Sequence, residues 1–365
     1  MPDDKKRLFR TRLFDWFATN HRPLPWKGVR DPYIIWLSEI ILQQTTVQQG
    51  TPYFELFRER YPSVSNLAAA PDDDVMKLWE GLGYYSRARN LLATARYIES
   101  ELNGLFPTTY EDILKLKGVG PYTAAAIASF AFGLPTAVVD GNVYRVLSRV
   151  FGIETPIDAP EARRIFTELA TEILDHERPA DFNQAMMDFG ATHCTAANPR
   201  CAACNLQADC VAFQTGKVGI LPIKLKKMVR RERFFNYLII NAGNSVFIRK
   251  RVERDIWQDL YEFPLIETDG LDKLNLVDLK SQINAPFDLI KKSQPFAQLL
   301  THQRIVAVFW EIKMRNELEN GFVLRGHDFL KIDRSTLPNF AFPKTIDTYF
   351  QAVRDKKNGQ LDFQF

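Results

Sequence analysis

The four cysteines of this chain all lie in one short stretch, HCTAANPRCAACNLQADC, between residues 193 and 210. Cys194, Cys201, Cys204 and Cys210 are separated by six, two and five residues. Two disulfides, a zinc site or an iron–sulfur cluster would each close this loop. Structural zinc sites usually use two short-spaced cysteine pairs, whereas a [4Fe–4S] cluster needs four thiolates around a larger centre. One C-x2-C pair with a single cysteine on either side favours one loop around one bulky group, and zinc and iron–sulfur both stay open.

The N-terminal segment bears on the compartment. MPDDKKRLFRTRLFDWF is charged and amphipathic, without the apolar core of a secretory signal. No uninterrupted apolar run approaches the roughly 18 residues of a membrane-spanning helix. We therefore expect a soluble cytoplasmic protein that does not bind a membrane. That compartment keeps thiols reduced, which counts against disulfides.

The chain changes character near residue 214. Its length of 365 residues suggests about two domains, at roughly 100–200 residues each. Apolar residues recur at three- and four-residue spacing through residues 1–212, which predicts an almost entirely helical part. GKVGILPIKLKKMVRRER is basic and contains glycines and a proline, as a connector does. Beyond it, FFNYLIINAGNSVFIRK predicts two strands around a Gly-Asn turn and RIVAVFWEIKM another strand, so this part is α+β.

Residues 115–131, KLKGVGPYTAAAIASFA, predict two helices joined by a tight turn. Gly118 and Gly120 let the backbone turn sharply, and Pro121 suits the first turn of the second helix. The turn N–H groups, including that of Val119, are available to a phosphate at a helix N-terminus. A plain helix–turn–helix corner is the alternative. The full L-x-G-V-G-x-x-T-A string favours an element that grips the DNA backbone without reading sequence.

Two acids are candidates for chemistry. Asp31-Pro32, an N-cap followed by a proline, predicts the start of a helix over DPYIIWLSEIILQQ. Glu39 is the acid inside its apolar pattern, where burial would raise its pKa and keep it protonated, as a general acid requires. Asp140 follows Val138 and Val139 and begins another helix; a carboxylate at a helix N-terminus stays ionised and can face a developing cation. A solvated glutamate and an ordinary helix N-cap are the alternatives.

GLGYYSRARNL places aromatic residues beside arginines. We expect Tyr84 and Tyr85 to be exposed and followed by Arg87 and Arg89, a combination suited to wedging bases apart while holding phosphates. Burial of the tyrosines in a core is the alternative. The net charge of +3 is too small to indicate a nucleic-acid partner by itself.

Over about residues 20–215, these stretches resemble in order the helix-hairpin-helix DNA glycosylases that carry a [4Fe–4S] cluster. The C-x6-C-x2-C-x5-C spacing is specific to that group. Endonuclease III-type members place a Schiff-base lysine two residues after the hairpin's second glycine, where this chain has Tyr122. That tyrosine, SEIILQQT, RPLPWK and the long C-terminal extension are instead similar to the MutY-type adenine DNA glycosylases.

The resemblance implies the fold class and the function. It implies a mainly α helix-hairpin-helix glycosylase domain with a [4Fe–4S] loop over residues 1–215. After this domain it implies a basic connector over residues 216–233. Residues 234–365 then form an α+β, Nudix-like domain that recognises 8-oxoguanine. It further implies a monomeric enzyme that flips adenine out of double-stranded DNA and excises it where it is mispaired with 8-oxoguanine or guanine. In a bacterium such an enzyme is nucleoid-associated.

The resemblance also implies residue roles. Glu39 matches the acid that protonates adenine, Asp140 the carboxylate that stabilises the sugar cation, and Tyr122 and Asn142 their hydrogen-bonding partners. The residues that match the lining of the adenine pocket are Arg22, Leu24, Trp26, Lys27, Leu42, Val47, Gln184 and Met187. Those that match contacts around the opposite base are Gln44, Thr45 and Tyr84. Gly118, Val119 and Gly120 match the backbone-gripping hairpin, and the four cysteines match the cluster ligands.

The C-terminal part resembles the Nudix fold through WQDLYEFP, residues 257–264. No G-x5-E-x7-R-E-x-x-E-E motif follows it, so we expect no metal-dependent pyrophosphatase activity. The family usually has an aromatic-Ser-His tract that probes the lesion, and this chain has Leu300, Thr301 and His302 there. Thr301 can supply the hydroxyl near N7–H or O6 of the lesion.

Two other functions stay open. A bifunctional, endonuclease III-like pyrimidine glycosylase and lyase would form an imine that borohydride traps. A non-catalytic, metal-containing DNA-binding module would bind duplex DNA without releasing a base. The basic residues of the connector either bind a partner or form a solvated linker. They are Lys224, Lys226, Lys227, Arg230 and Arg231.

Overall fold

A computed structural model describes residues 3–20, 22–225, 230–283, 285–315 and 322–358 of the chain, with side chains of the last helix described to residue 355. Lys226 and Lys227 of the predicted connector lie outside the described residues. The chain forms two compact units, residues 1–70 with 90–227 and residues 71–89 with 228–365. Residues 71–89 therefore differ from the boundaries predicted from sequence, because their side chains pair with the C-terminal part.

The elements follow in chain order. The helices are α1 (Asp3–Asn20), α2 (Pro32–Leu42), α3 (Val47–Arg60), α4 (Val64–Ala68), α5 (Asp72–Leu78), α6 (Ser86–Glu101), α7 (Tyr110–Leu114), α8 (Pro121–Phe132), α9 (Gly141–Phe151), α10 (Ala162–Ile173), α11 (Pro179–Thr192), α12 (Val211–Gln214), α13 (Leu276–Gln282) and α14 (Lys344–Asn358). The strands are β1 (Arg231–Ala242), β2 (Ser245–Lys250), β3 (Tyr261–Glu262), β4 (Leu265–Thr268), β5 (Phe287–Lys292), β6 (Phe296–Leu299), β7 (Gln303–Met314), β8 (Phe322–Leu324) and β9 (His327–Asp333). Short 3₁₀ turns cover Cys201–Ala203, Gln207–Asp209 and Arg334–Asn339.

Helix α2 is enclosed within the first unit, since residues 33–41 are all buried. Asp31 caps it by accepting a hydrogen bond from the Tyr33 N–H, and Pro32 occupies its first turn. This confirms the start predicted at Asp31-Pro32. An apolar helix enclosed on every side holds any ionisable residue within it away from water.

A second set of helices packs around a common apolar core. Buried side chains of α1, α9, α10 and α11 meet there, among them Leu13, Leu147, Phe166 and Phe189. Three of the four cysteines pack against this core from the 194–210 loop: Cys194, Cys204 and Cys210. The loop is thus anchored on the helices that carry Asp140 and Gln184.

The turn between α7 and α8 has the predicted geometry. Gly118 has φ +78°, which favours glycine, and a Cβ there would lie 2.7 Å from the Cβ of Asn90. Gly120 is the N-cap of α8 and Pro121 its first residue. The predicted helix-hairpin-helix turn therefore forms with its backbone at a helix N-terminus.

The second unit is built on a twisted sheet. Its strands follow the order β5-β7-β1-β2-β9-β8, with β3 on β2, β4 on β1 and β6 on β7. β1 and β7 pair in parallel, from Arg231 opposite Gln303 to Asn241 opposite Lys313. Helix α13 contributes Leu279 to the apolar core that covers the sheet. The predicted strands around Gly243-Asn244 and over RIVAVFWEIKM are confirmed, as is the α+β character.

None of the helices among the described residues combines the length and the apolar character that a membrane-spanning helix needs.

Candidate active site

A cavity of about 1050 Å³ lies in the first unit between residues 22–30 and helices α2, α8, α9 and α11. Every residue predicted for the adenine pocket lines it: Arg22, Leu24, Trp26, Lys27, Leu42, Val47, Gln184 and Met187. So do Glu39, Tyr122, Asp140 and Asn142. Trp26 packs edge-on against Phe54, with ring centroids 5.2 Å apart. A concave site with apolar walls and a few convergent polar groups is typical of a ligand pocket.

Glu39 projects from α2 into this cavity and is only 7% exposed. The pKa of Glu39 is raised to about 7: burial raises it most, a hydrogen bond from the Tyr122 hydroxyl lowers it, and the charge of Asp140 raises it. Desolvation is the main cause, because burial penalises the charged carboxylate. Glu39 is therefore protonated in a large fraction of molecules at neutral pH, as predicted.

Asp140 is the N-cap of α9. Its Oδ1 accepts a hydrogen bond of 2.7 Å from the Val143 N–H, and its Oδ2 accepts one of 2.6 Å from Asn142 Nδ2. Burial nevertheless raises the pKa of Asp140, against the lowering by these donors and by Arg145. The predicted cap is present, but the helix N-terminus does not set the direction of the shift, because desolvation exceeds it.

Arg145 joins this site to the cysteine loop. Its Nη2 donates to Asn142 Oδ1 at 2.8 Å and to the Gly190 carbonyl at 2.5 Å, and its Nε donates to the Cys194 carbonyl at 2.7 Å. Gly190 lets α11 approach α9, since a Cβ there would lie 2.6 Å from the Cβ of Asn142. Arg145 was not predicted; its position one turn after Asn142 on α9 is the signal that could have identified it.

Lys27 and Asp188 form an ion pair inside the cavity. Lys27 Nζ lies 2.6 and 2.8 Å from the two carboxylate oxygens, and the side chains are 13% and 3% exposed. Burial lowers the pKa of Lys27, whereas Asp188 raises it. Gln184 Nε2 donates to the same carboxylate at 3.3 Å. Asp188 was not predicted, although it lies one turn beyond Gln184 on the same face of α11.

The turn after α2 carries further predicted residues. Thr45 lines the cavity, whereas Gln44 is exposed and has φ +55°, a strained backbone for a residue other than glycine. Gln43, which was not assigned a role, also lines the cavity and donates from Nε2 to the Thr123 hydroxyl at 3.2 Å. Gln43 and Thr45 thus face the cavity, whereas Gln44 lies on the surface.

No disulfide joins the four cysteines, and all four line one small cavity with Arg149 and His193. Arg149 Nη1 lies 3.5 Å from the Cys194 sulfur. Burial raises the pKa of the Cys204 thiol to about 11. Among the described residues, no three histidine, cysteine, aspartate or glutamate side chains are arranged around a single metal ion. Four thiols facing one cavity beside a buried guanidinium are a donor set that fits an anionic centre with thiolate ligands.

In the second unit, Tyr84, Thr301 and His302 line a separate cavity of about 540 Å³. Tyr84 is 42% exposed, and its hydroxyl forms a hydrogen bond with that of Thr301. Tyr85 is not exposed as predicted: it is 6% exposed and packs inward. Arg87 is also buried, because its guanidinium stacks on Trp79 at 5.0 Å. Of the two tyrosines expected to wedge bases apart, Tyr84 is therefore exposed and Tyr85 is buried.

Comparisons with known proteins identify the family of this chain. Residues 37–172 match the family of HhH-GPD superfamily base excision DNA repair proteins, and residues 236–352 match the NUDIX domain. The adenine DNA glycosylase of Buchnera aphidicola subsp. Acyrthosiphon pisum is 33% identical over 298 residues, which are 81% of this chain and 85% of that protein. The chain belongs to the adenine DNA glycosylase family. The human adenine DNA glycosylase is 43% identical over 215 residues, 56% of this chain and 39% of that protein.

Solved structures support the fold of the first unit in this adenine DNA glycosylase family member. A thermostable thymine-DNA glycosylase has a TM-score of 0.55 at 30% identity and covers 58% of this chain and 98% of its own. An endonuclease III in a non-covalent complex with DNA has a TM-score of 0.52 at 24% identity and covers 59% and 98%, which shows the shared fold. The predicted family and fold class are thus confirmed, and the chain is a DNA N-glycosylase of base excision repair.

Proposed function

We propose that this chain excises adenine from double-stranded DNA where adenine is paired with 8-oxoguanine or guanine, by acid-assisted hydrolysis of the N-glycosidic bond. One observation carries the proposal: Glu39 and Asp140 face the same cavity, and Glu39 has a pKa of about 7. Cleavage of a glycosidic bond needs one neutral acid for the leaving group and one carboxylate for the sugar cation. The base must leave the helical stack to reach them.

The two carboxyl groups have separate tasks in this mechanism. Glu39, held by the Tyr122 hydroxyl, donates its proton to the adenine ring as the bond to the sugar lengthens. Asp140 is fixed by Val143 and Asn142 and stabilises the cation that develops on the sugar. Glu39, now a carboxylate, accepts a proton from the water that adds to the sugar.

The absence of a lysine at position 122 supports a monofunctional enzyme. Tyr122 cannot form an imine with the abasic sugar, and Lys27, which lines the cavity, is held by Asp188. Borohydride added during turnover should leave no DNA-linked protein. A strong trapped band would favour the bifunctional alternative.

We further propose that Cys194, Cys201, Cys204 and Cys210 hold a [4Fe–4S] cluster. Bound there, the cluster supplies structural cross-linking of the loop, which orders a DNA-docking surface. Purified protein should be brown, with a broad visible absorption band and about four irons, whereas a zinc protein would be colourless. Cys201→Ser should lose iron and DNA affinity; full affinity and unchanged stability would contradict the structural role.

The other contacts with DNA follow from the same proposal. Gly118 and Gly120 grip the backbone, and Gln44 and Tyr84 intercalate near the opposite base. Thr45 contacts that base, and Thr301 supplies a hydroxyl near its N7–H or O6. We propose a monomer that acts at the nucleoid in the cytoplasm. Size-exclusion chromatography with light scattering and cell fractionation test these two points.

The decisive experiment is a base-release assay. Duplexes with A:8-oxoguanine, A:G or T:A are incubated with the protein and cleaved with alkali. We expect breakage at adenine in the first two duplexes and none in the third. Glu39→Gln and Asp140→Asn should each abolish it, and intact A:8-oxoguanine DNA after incubation with the unsubstituted protein would refute the proposal.

A further inference from the structure

The loop that carries Tyr84 has an unusual backbone. Gly81, Gly83 and Tyr84 have φ values of +92°, +72° and +48°, and only glycine adopts that region without strain. The Gly83 carbonyl accepts a 3.1 Å hydrogen bond from Trp79 Nε1, and the Gly81 N–H donates to the Tyr85 hydroxyl at 3.3 Å. A strained backbone persists where its surroundings enforce it.

Helix α5 and the residues after it are joined to the C-terminal part by Glu80. One carboxylate oxygen of Glu80 accepts a 2.8 Å hydrogen bond from the Phe342 N–H, and the other accepts one of 2.5 Å from Lys77. Lys77 also donates to the Phe340 carbonyl at 3.0 Å. The segment before α14 therefore binds the start of the Tyr84 loop at two points.

Asp73 forms the second connection. Its two oxygens accept hydrogen bonds from Lys250 Nζ at 2.5 Å and from the Tyr261 hydroxyl at 2.9 Å. Past the loop, Arg89 Nη1 donates to the Gln258 carbonyl at 2.8 Å. The loop is thus held on both sides by residues of β2, β3 and the segment between them.

Tyr84 lies in the loop that these contacts of Asp73, Glu80 and Arg89 hold in place. Its hydroxyl bonds with that of Thr301, and both residues line the 540 Å³ cavity. When the Thr301 hydroxyl donates to Tyr84, its oxygen is left as an acceptor. Such an acceptor suits the N7–H of 8-oxoguanine and leaves the N7 lone pair of guanine unpaired.

We propose that Asp73 and Glu80 are positioning residues that hold Tyr84 against Thr301 and thereby set the preference for 8-oxoguanine over guanine opposite adenine. The inference rests on the proposed function. Neither residue lines the adenine cavity; each acts by fixing where the Thr301 oxygen points. A site built to bond a polar group discriminates against the analogue that lacks it, provided the partner is held in place.

The test measures single-turnover adenine release from A:8-oxoguanine and A:G duplexes with the full-length holoenzyme. Asp73→Ala and Glu80→Ala should each lower the ratio of the two rates about fivefold, the loss expected from one hydrogen bond, with the A:G rate retained. Glu80→Gln keeps an acceptor for the Phe342 N–H and should restore much of the ratio. Asp74→Ala is the matched control, because Asp74 is an exposed acid next to Asp73 on α5.

Each outcome decides. An unchanged ratio in both alanine variants overturns the inference, and so does an equal loss on both duplexes or a Glu80→Gln variant no better than Glu80→Ala. Melting temperatures of the variants, measured in parallel, separate global unfolding from mispositioning. If the unsubstituted protein releases no adenine from either duplex, the proposed function itself fails. That outcome is distinct from any result obtained with the variants, because it is measured on the unsubstituted protein.

Discussion

The hydrogen bond between Tyr122 and Glu39 can be tested through the pH dependence of base release. Tyr122→Phe removes the hydroxyl and keeps the ring. That hydroxyl lowers the pKa of Glu39, whereas burial and the charge of Asp140 raise it. Removing it leaves only the raising influences. The variant should therefore keep Glu39 protonated to higher pH than the unsubstituted enzyme does.

The size of the shift follows from the contact. A hydrogen bond to a charged group contributes about 1.5–3 kcal/mol, and about 1.36 kcal/mol corresponds to one pKa unit. The midpoint of the descending limb should move from about 7 to about 8–9. At pH 8 roughly a tenth of Glu39 is protonated in the unsubstituted enzyme, and about half to nine-tenths in the variant. Relative to its own plateau, the variant's rate at pH 8 should rise about five- to tenfold.

The assay is single-turnover adenine release from A:8-oxoguanine DNA between pH 5.5 and 9.5, each profile normalised to its acid plateau. Normalisation removes any uniform loss caused by the missing hydroxyl. Tyr110→Phe is the control, because Tyr110 is not among the groups that shift the pKa of Glu39. A midpoint that stays at 7 or moves to lower pH would refute the assignment of Glu39 as the acid held by Tyr122.

Three further predictions concern stability, each measured by thermal or denaturant unfolding. Gly190→Ala should destabilise the protein by about 1–3 kcal/mol, because its Cβ would lie 2.6 Å from that of Asn142; an unchanged melting temperature would contradict the close helix contact. Lys27→Met should cost about 3–5 kcal/mol by leaving the Asp188 carboxylate buried without its cation, and the double variant with Asp188→Leu should recover most of this loss. The pKa of Asp347 is raised to about 7, chiefly by burial and then by the charge of Glu80. Folding then favours its protonated form, so stability falls as pH rises from about 4 to 7. Asp347→Asn should remove that loss, adding about 1–4 kcal/mol at pH 8 and nothing at pH 4; the upper figure is the full pKa shift and the lower one allows for solvent screening of this half-buried group. Equal gains at both pH values would exclude a titration effect.

Local rules account for much of the fold. The cap at Asp31, the Gly118–Gly120 turn and the strands on either side of Gly243 each depend on a few neighbouring residues, and these were predicted from the sequence. The placement of Glu39 in an apolar helix likewise predicted its raised pKa. Such features need no knowledge of which segment lies opposite.

Features that depend on distant partners were not predicted. The ion pair of Lys27 with Asp188 joins residues 161 positions apart, and neither residue shows that pairing in its own neighbourhood. Tyr85 and Arg87 have the composition of an exposed DNA-contacting patch, yet stacking on Trp79 makes burial of Arg87 favourable. The pKa of Asp140 depends on how completely its surroundings exclude water, which the helix start alone does not reveal.

The membership of residues 71–89 in the second unit has a consequence for how the protein is made. Glu80 and its partner Phe342 are 262 residues apart. At roughly 5–20 residues per second, a ribosome needs about 13–50 seconds to produce the partner after the glutamate. The contacts of Lys77 and Glu80 with Phe340 and Phe342 must wait that long, whereas the contact of Asp73 with Lys250 needs 177 further residues. A fragment ending near residue 227 would release helix α5 without its partners, so expression of the helical unit alone should yield a chain that is more easily cut by proteases at residues 71–89.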